Sequence, residues 1–396
     1  MPLPTAPPDT VADPAVMDSL LATVLAGGAA LWPEAWQGPA VVSKLMERVV
    51  YHGIAGLLFE QSKRLTDWPE ALHAALRNQA IAQTMWEMRH KMVLSDVLDA
   101  FAAADIHPLF LKGSAFAYDL YATPSSRSRG DTDLFISQQD LTRARERLAG
   151  LGFELQSEQH QHMEELEQQE LWELVANDGS LHDIDLHWQV MNCQALRNLF
   201  VFSDCAAQPL ALPRLHPAAR ALSRPRALIH ACLHRANHIT SPYYANGIKY
   251  YGGDRLIWAQ DIHLLANALS QTDWEDFCAS AIAGGGARVC QDGLEIAQMR
   301  LGTQLPAGIL DRLGAAPGQT ADRYLSEGRQ LHRVMMDLRA VPGLRKKLSF
   351  IRVKLFPPTA LLRSKYPHLH KFPVLFLLLL RLIELGKNRK SAASRT

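Results

Sequence analysis

The stretch "FLKGSAFAYDLYATPSSRSRGDTDLFI", residues 110–136, decides the fold of this chain of 396 residues. One apolar segment, "HPLFLKG", ends at Gly113, and a second one, "DTDLFIS", begins with two aspartates. Short apolar segments that are bounded by glycine and polar loops indicate β-strands. Between them, "SAFAYDLY" predicts a short helix with Ser114 as its N-cap, and "TPSSRSRG" predicts a loop. The stretch therefore predicts an α+β unit.

The segments that follow extend this unit. "QQDLTRARERLAGLG" predicts a helix that ends at a glycine cap, and "FELQ" predicts a strand. "LWELVA" and "LHDIDLHWQV" predict two further strands joined by the turn "NDGS", whereas the polar "QSEQHQHMEELEQQE" predicts a connection or hairpin tip. Together these segments predict a small mixed sheet with helices.

Both flanks of this unit have a helical pattern. "DPAVMDSLLATVLA" begins with Asp-Pro, a favourable helix start, and "PEALHAALRNQAIAQTMWEMRHKMVLSDVLDAFAAA" has no internal Pro or Gly. After Pro217 the helical period returns, for example in "RLIWAQDIHLLANAL". We predict an α+β fold in which helical domains flank the mixed-sheet core on its N- and C-terminal sides. The predicted regions are an N-terminal helical region (1–98), the core (99–215), a C-terminal helical domain (216–340) and a basic tail with an apolar helix (341–396).

The composition is typical of a soluble globular protein, with 48% hydrophobic and 20% charged residues. The five cysteines lie far apart and form no CxxC pair, which favours reduced thiols over a disulfide or zinc framework. Residues 1–15 lack the basic start and the apolar segment of a secretory signal. These features predict a cytoplasmic protein.

The net charge of +1 conceals an asymmetry along the chain. Residues 341–396 contain 13 Lys and Arg but one acid, Glu384, so this tail carries +12 and the rest of the chain −11. The apolar run from Phe372 to Leu380 is much shorter than the ~20 residues that span a bilayer. The tail helix is then either packed on the body or interfacial, with basic flanks that contact anionic lipid or RNA. The interfacial alternative predicts a protein peripheral to the membrane.

Two predicted strands carry acidic faces. Because side chains alternate along a strand, Asp131 and Asp133 share one face of "DTDLFI". The same rule places Asp183, Asp185 and His187 on one face of "HDIDLHW". Carboxylates that converge on one cleft repel each other unless a cation lies among them, and Mg²⁺ takes carboxylates together with substrate phosphates.

The turn before "SAFAYDLY" has features of a phosphate site. Gly113 allows close approach of the backbone, and free N–H groups at a helix start, from Ser114 onwards, bind anions. Lys112, Arg127 and Arg129 add positive charge nearby. A phosphate site beside several metal-binding carboxylates is typical of phosphoryl or nucleotidyl transfer.

In combination, "LKGSAFAYDLY", "DTDLFI" and "IDLHW" resemble a bacterial nucleotidyltransferase family of the polymerase-beta-type superfold. That superfold is marked by a Gly-Ser or Gly-Gly turn, an Asp-x-Asp strand and a third carboxylate on a later strand. The resemblance is to an uncharacterised subfamily with "LKG", "DxD" and an acid followed by "LHW", and it spans most of residues 40–310. The matching positions are Lys112, Gly113, Ser114, Tyr121, Arg129, Asp131, Asp133, Asp185, His187 and Trp188.

This resemblance implies a metal-dependent nucleotidyltransferase with a nucleoside triphosphate as substrate. Lys112, Gly113, Ser114 and Arg129 would bind the nucleotide. An acceptor hydroxyl would attack the α-phosphate in line, and pyrophosphate would leave. The acceptor stays open among a small molecule such as a sugar or antibiotic, a tRNA end and a protein side chain.

The resemblance also implies the catalytic and metal-binding residues. Asp131 and Asp133 would hold two Mg²⁺ ions, and Asp185 would complete the site and help to activate the acceptor hydroxyl. Asp183 lies on the same predicted face, and only the match to "acid-LHW" favours Asp185 as the third carboxylate. The alternative function is a non-catalytic protein that keeps the fold to bind a nucleotide or a partner, as an accessory to a polysaccharide or toxin–antitoxin system.

Three histidines, His230, His234 and His238, are spaced four residues apart and share one face of a predicted helix. A zinc site would need further Cys or acidic ligands at a suitable spacing, and none lies nearby. We therefore expect this helix face to border the nucleotide cleft.

Overall fold

The computed structural model describes residues 13–386, except 157–167, 240–241, 246–247, 252, 328–329, 357–358, 360–362, 364–365, 367–368 and 370–371. Its centre is a seven-stranded mixed sheet in the order β3-β4-β5-β2-β1-β7-β6, with helices around it. The predicted α+β class with helical flanks is therefore confirmed. The strands are β1 (Leu109–Phe110), β2 (Asp131–Phe135), β3 (Glu154–Leu155), β4 (Gln169–Val175), β5 (Leu181–His187), β6 (Leu210–Ala211) and β7 (Arg220–Ala221).

Among the described residues, the N-terminal flank contains four α-helices, which agrees with the helical pattern predicted for it. Asp13 caps the first of them by accepting a hydrogen bond from the backbone N–H of Ala15. Gly53, with φ of +70°, separates the second helix from the third. Only glycine adopts this left-handed conformation without strain, so it is a natural stop signal. The helices are α1 (Pro14–Leu25), α2 (Pro39–His52), α3 (Ala55–Glu60) and α4 (Glu70–Ala102).

The described part of the core contains three short α-helices, α5 (Lys112–Asp119), α6 (Leu141–Gly150) and α7 (Phe202–Ala206). The predicted glycine cap of α6 is confirmed, since Gly152 follows this helix with φ of +87°. The predicted N-cap role of Ser114 is wrong. Helix α5 begins at Lys112 and its N-cap position is Leu111, so Ser114 lies inside the first turn. Its hydroxyl is buried against other side chains instead of capping the helix.

The C-terminal flank is again helical and also contains a hairpin that the sequence patterns did not indicate. Residues 157–167, most of the predicted polar connection, lie outside the described residues. The described elements of the C-terminal flank are α8 (Arg224–Ile239), β8 (Pro242–Ala245), β9 (Ile248–Tyr251), α9 (Leu256–Ala268), α10 (Gln271–Ala283), α11 (Ala287–Leu301), α12 (Ile309–Ala315), α13 (Thr320–Ser326), α14 (Gln330–Ala340), α15 (Leu344–Leu355) and α16 (Val374–Gly386).

One hydrophobic core joins these parts, since buried apolar side chains from Met17 to Leu325 form a continuous cluster. Helix α1 packs against α11, so the two helical flanks contact each other. The boundaries of the four predicted regions stay a prediction. Within the part of the chain described above, no helix combines the length and apolar character needed to cross a bilayer.

Candidate active site

Strands β2 and β5 are parallel neighbours at the centre of the sheet. Their register places Asp131 opposite Asp183 and Asp133 opposite Asp185. Because paired residues of adjacent strands point to the same face, all four carboxylates lie side by side, as alternation along each strand predicts. Next along β5, His187 continues the same face.

Among these side chains, the Asp133 carboxylate is held by two neighbouring side chains. Its side chain is buried, and Oδ1 accepts a hydrogen bond of 2.7 Å from Lys112 Nζ and lies 2.9 Å from His187 Nε2. Ligand atoms of Asp133, Asp185 and His187 all lie within 4.8 Å of one another, so these three residues could hold a metal ion. Alternation placed His187 on this face, but no feature of the sequence marked it as a metal ligand.

The carboxyl groups of this face differ in their pKa because their surroundings differ. Burial, together with the charges of Asp133 and Asp131, raises the pKa of Asp185 to about 8. Burial and the nearby Glu173 raise the pKa of Asp183 to about 6. Burial acts in the same direction on Asp133, but Lys112 and His187 hold the pKa of Asp133 below its ordinary value. Full ionisation of this face would therefore place more negative charge there than its own cations neutralise, and a bound divalent cation would favour that ionised state.

Asp131 lies at the start of β2 and is exposed to solvent. Its pKa is nevertheless raised, by the surrounding protein and by the charge of Asp133. The Asp131 carboxylate is therefore accessible to a substrate or a cation from solvent.

Lys112 begins α5 with φ of +43°, a left-handed conformation that is uncommon for residues other than glycine. Burial tends to lower the pKa of Lys112, but Asp133 and its neighbours raise it above the ordinary value. The structure thus places this predicted nucleotide-binding residue among the carboxylates. Sequence reasoning assigned the conformational freedom of the turn to Gly113 and missed the strained lysine.

Ser114 and Arg129, two further predicted nucleotide-binding residues, are buried beneath the turn. Ser114 Oγ lies 2.7 Å from Thr132 Oγ1 and accepts a hydrogen bond of 3.0 Å from Arg129 Nε. Arg129 also pairs with Glu87 of α4 at 2.7 Å, and its side chain is only 2% exposed. These side chains connect the turn to β2 and to α4. Because they are engaged in these contacts, the backbone N–H groups of the turn are the groups that could bind a phosphate.

The loop arginine Arg127 is engaged in a similar way on the other side. Its guanidinium pairs with Asp261 of α9 at 2.7 Å, and the hydroxyl of Tyr121 donates to the same carboxylate at 2.7 Å. Tyr121, Arg127 and Asp261 are all buried. This ion pair holds the loop between α5 and β2 against the C-terminal flank.

A hydrogen-bonded chain continues behind the acidic strands. His90 of α4 lies 2.7 Å from Thr132 through Nε2 and 3.1 Å from His182 through Nδ1. Trp86 stacks on the His90 ring at 4.3 Å between centroids. The sequence did not predict this role of α4. Its only indication there is the presence of polar side chains such as His90 in this helix.

The histidine face of α8 lies near the acidic face, as expected. Lys112 and His230 line one cavity together with Phe110, Leu222 and Leu265. Burial and the charge of Lys112 lower the pKa of His230 to about 3 and that of His238 to about 4. The buried Nδ1 of His230 has no hydrogen-bond partner among the described residues.

Residues 39–302 match the model of a protein family that is described as an uncharacterised nucleotidyltransferase. The match covers the N-terminal helices from α2, the whole sheet and the helices up to α11. A comparison with curated proteins finds no significant match.

Proposed function

This chain belongs to that nucleotidyltransferase family, and on this premise we propose that it transfers a nucleoside monophosphate from a nucleoside triphosphate to an acceptor hydroxyl, with release of pyrophosphate. One observation carries the proposal: the parallel register of β2 and β5 brings four carboxylates together beside the turn that begins α5. We further propose that the chain belongs to the bacterial "LKG…DxD…LHW" group within the family.

The residues present fit a divalent cation. The donor set consists of carboxylate oxygens and one imidazole, and Oδ1 of Asp183 is buried without a partner among the described residues. Oxygen-rich sets of this kind suit Mg²⁺, or Mn²⁺ with a histidine ligand. Asp131, Asp133 and Asp185 would hold two Mg²⁺ ions, with His187 beside them. Bound metal would supply charge neutralisation at the triphosphate and at the attacking oxygen.

The chain's own groups have defined tasks in this proposal. Backbone N–H groups of Gly113 and Ser114 bind the triphosphate, because they lie in the first turn of α5 and point towards its N-terminal end. Asp185 accepts the proton of the acceptor hydroxyl. Lys112 balances Asp133, and Arg129 acts as a positioning residue by holding Ser114 and Glu87.

A cytoplasmic location belongs to the same proposal. The five cysteines are free and buried, which agrees with the predicted reduced thiols. The acceptor stays open among a small molecule, a tRNA end and a protein side chain.

The test is incubation of the full chain with each nucleoside triphosphate, labelled at the α-phosphate, in cell extract with Mg²⁺ or Mn²⁺. We expect label to move to an acceptor whose size identifies its class, and we expect EDTA to stop the transfer. Asp133→Asn should abolish transfer, whereas Asp276→Asn, a change at an exposed aspartate of α10, should not. Equal transfer by the Asp133 variant and the unchanged protein would refute the proposed site.

One contact favours a second candidate, a non-catalytic nucleotide-binding protein. Lys112 Nζ already lies 2.7 Å from Asp133, and a fixed ammonium can neutralise a carboxylate in place of a metal. This candidate predicts nucleotide binding that is unaffected by EDTA, with no label transferred to any acceptor. Binding by calorimetry with and without metal distinguishes the two candidates.

A further inference from the structure

Helix α15 presents an apolar stripe to solvent. Leu344, Leu348, Ile351 and Leu355 are spaced three or four residues apart and therefore lie along one side of the helix. Their exposed fractions are 74%, 59%, 37% and 39%. The apolar face of a surface helix normally packs against the rest of the protein, so the exposure of this one requires an explanation.

Basic side chains border this stripe on both sides. At 100° per residue, Lys347 falls along one edge of the stripe, and Arg345 and Arg352 fall along the other. Lys354 shares the edge of Lys347, but its ammonium lies 5.3 Å from the centre of the Phe350 ring. The helix contains no acidic residue. Phe350, which points away from the stripe, is buried and fixes the orientation of the helix.

A second stripe lies on α16. Leu375, Leu379 and Ile383 are spaced four residues apart and are 79%, 55% and 49% exposed, whereas Leu377 is fully buried. Helix α16 packs on α14, and α14 packs on α15, so both stripes belong to one group of helices. Among the described side chains, each helix is thus anchored by one buried residue, while a row of large apolar side chains stays in water.

Charge decides among the occupants that such a surface could have. A second copy of this chain would bring together two tails that each carry +12, which opposes self-association through this face. RNA would use the positive charge but would leave rows of leucine exposed to water. A bilayer with anionic lipids uses both features, since lysine and arginine meet the headgroups and the leucines enter the boundary of the acyl chains.

We infer that α15 and the exposed apolar row of α16 form a membrane-binding surface, in which α15 lies in the plane of an anionic lipid interface. The apolar stripe enters the lipid, and the bordering Lys and Arg side chains reach the headgroups. Binding of lipid by these helices would not depend on the transfer reaction.

The test is co-sedimentation of the full chain with vesicles of phosphatidylcholine alone or of phosphatidylcholine mixed with phosphatidylglycerol. We expect binding to the mixed vesicles only, with the affinity falling as salt is raised. The double variant Leu348→Glu/Ile351→Glu should bind at least about tenfold more weakly, because two apolar side chains leave the interface and two like charges face the lipid. The matched control, Leu31→Glu/Met299→Glu, changes two exposed apolar residues outside the tail and should bind like the unchanged protein.

Three results would overturn the inference. The first is no sedimentation of the unchanged protein with anionic vesicles. The second is equal loss of binding in the control variant. The third is binding of single-stranded RNA that is lost in Lys347→Glu/Arg352→Glu but kept in Leu348→Glu/Ile351→Glu. In that case the exposed apolar side chains would have no part in recognition.

Discussion

The two faces of the β2–β5 pair are built from neighbouring residues and have opposite properties. The front carries Asp131, Asp133, Asp183 and Asp185, whose like charges are only partly balanced. On the back, Thr132 is hydrogen-bonded to His90 and to Ser114, while Leu134, Ile184 and Leu186 are fully buried. A satisfied polar network stabilises a fold, whereas uncompensated charge in a cleft indicates a place for a ligand.

The largest expected effect concerns the front. Asp131→Asn should lower nucleotide turnover by about a thousandfold or more, because a ligand for the cation is lost without a change in shape. The measurement is label transfer at saturating nucleotide, with circular dichroism to verify the fold. Turnover within about threefold of the unchanged protein would show that the front face is not the reaction site.

The back should respond in stability. Arg129→Ala leaves Glu87 buried without its cation and should lower the free energy of unfolding by about 3 kcal/mol, measured by urea denaturation. The matched control is Arg89→Ala on α4, the helix that carries Glu87; its partner Asp178 is exposed, so its loss should cost clearly less. Equal costs for the two variants would contradict a supporting role for the buried pair.

A third change should separate activity from stability on the front face. Asp185→Asn removes one of the mutually repelling carboxylates, so in metal-free buffer at pH 8 it should raise the free energy of unfolding by about 1 kcal/mol. The same variant should lose turnover. Addition of Mg²⁺ should raise the melting temperature of the unchanged protein more than that of the variant. A variant that is less stable without metal would argue against repulsion in this cluster.

The smallest effect is a pH dependence that originates on the back. Burial and the charge of Arg129 hold the pKa of His90 well below its ordinary value of 6.5. Below pH 6.5 the unfolded chain therefore binds more protons than the folded one, and stability falls as the pH falls. His90 alone should account for about 1 kcal/mol between pH 7 and pH 5.5. His90→Gln should be less stable at pH 7 but show a shallower decline, and an unchanged slope would contradict this assignment.

Much of the candidate site could be predicted because it depends on local geometry. Two-residue alternation was sufficient to place Asp131 with Asp133 and Asp183 with Asp185, and Gly152 ends α6 as its position indicated. The N-cap prediction for Ser114 failed because a buried hydroxyl finds better partners in Thr132 and Arg129 than in its own helix. The sequence around position 114 does not indicate that Thr132 and Arg129 will lie next to Ser114 in the folded protein.

The sequence by itself determined which side chains share a face, since this follows from the period of the strand and needs no knowledge of the neighbours. Only the tertiary structure decided that Asp133 lies opposite Asp185, that Lys112 neutralises Asp133, and that Glu87 holds Arg129. The physical reason is that many acids and bases along the chain could have formed these pairs. Packing of α4 and of the strands selects the partners that are brought within hydrogen-bond distance.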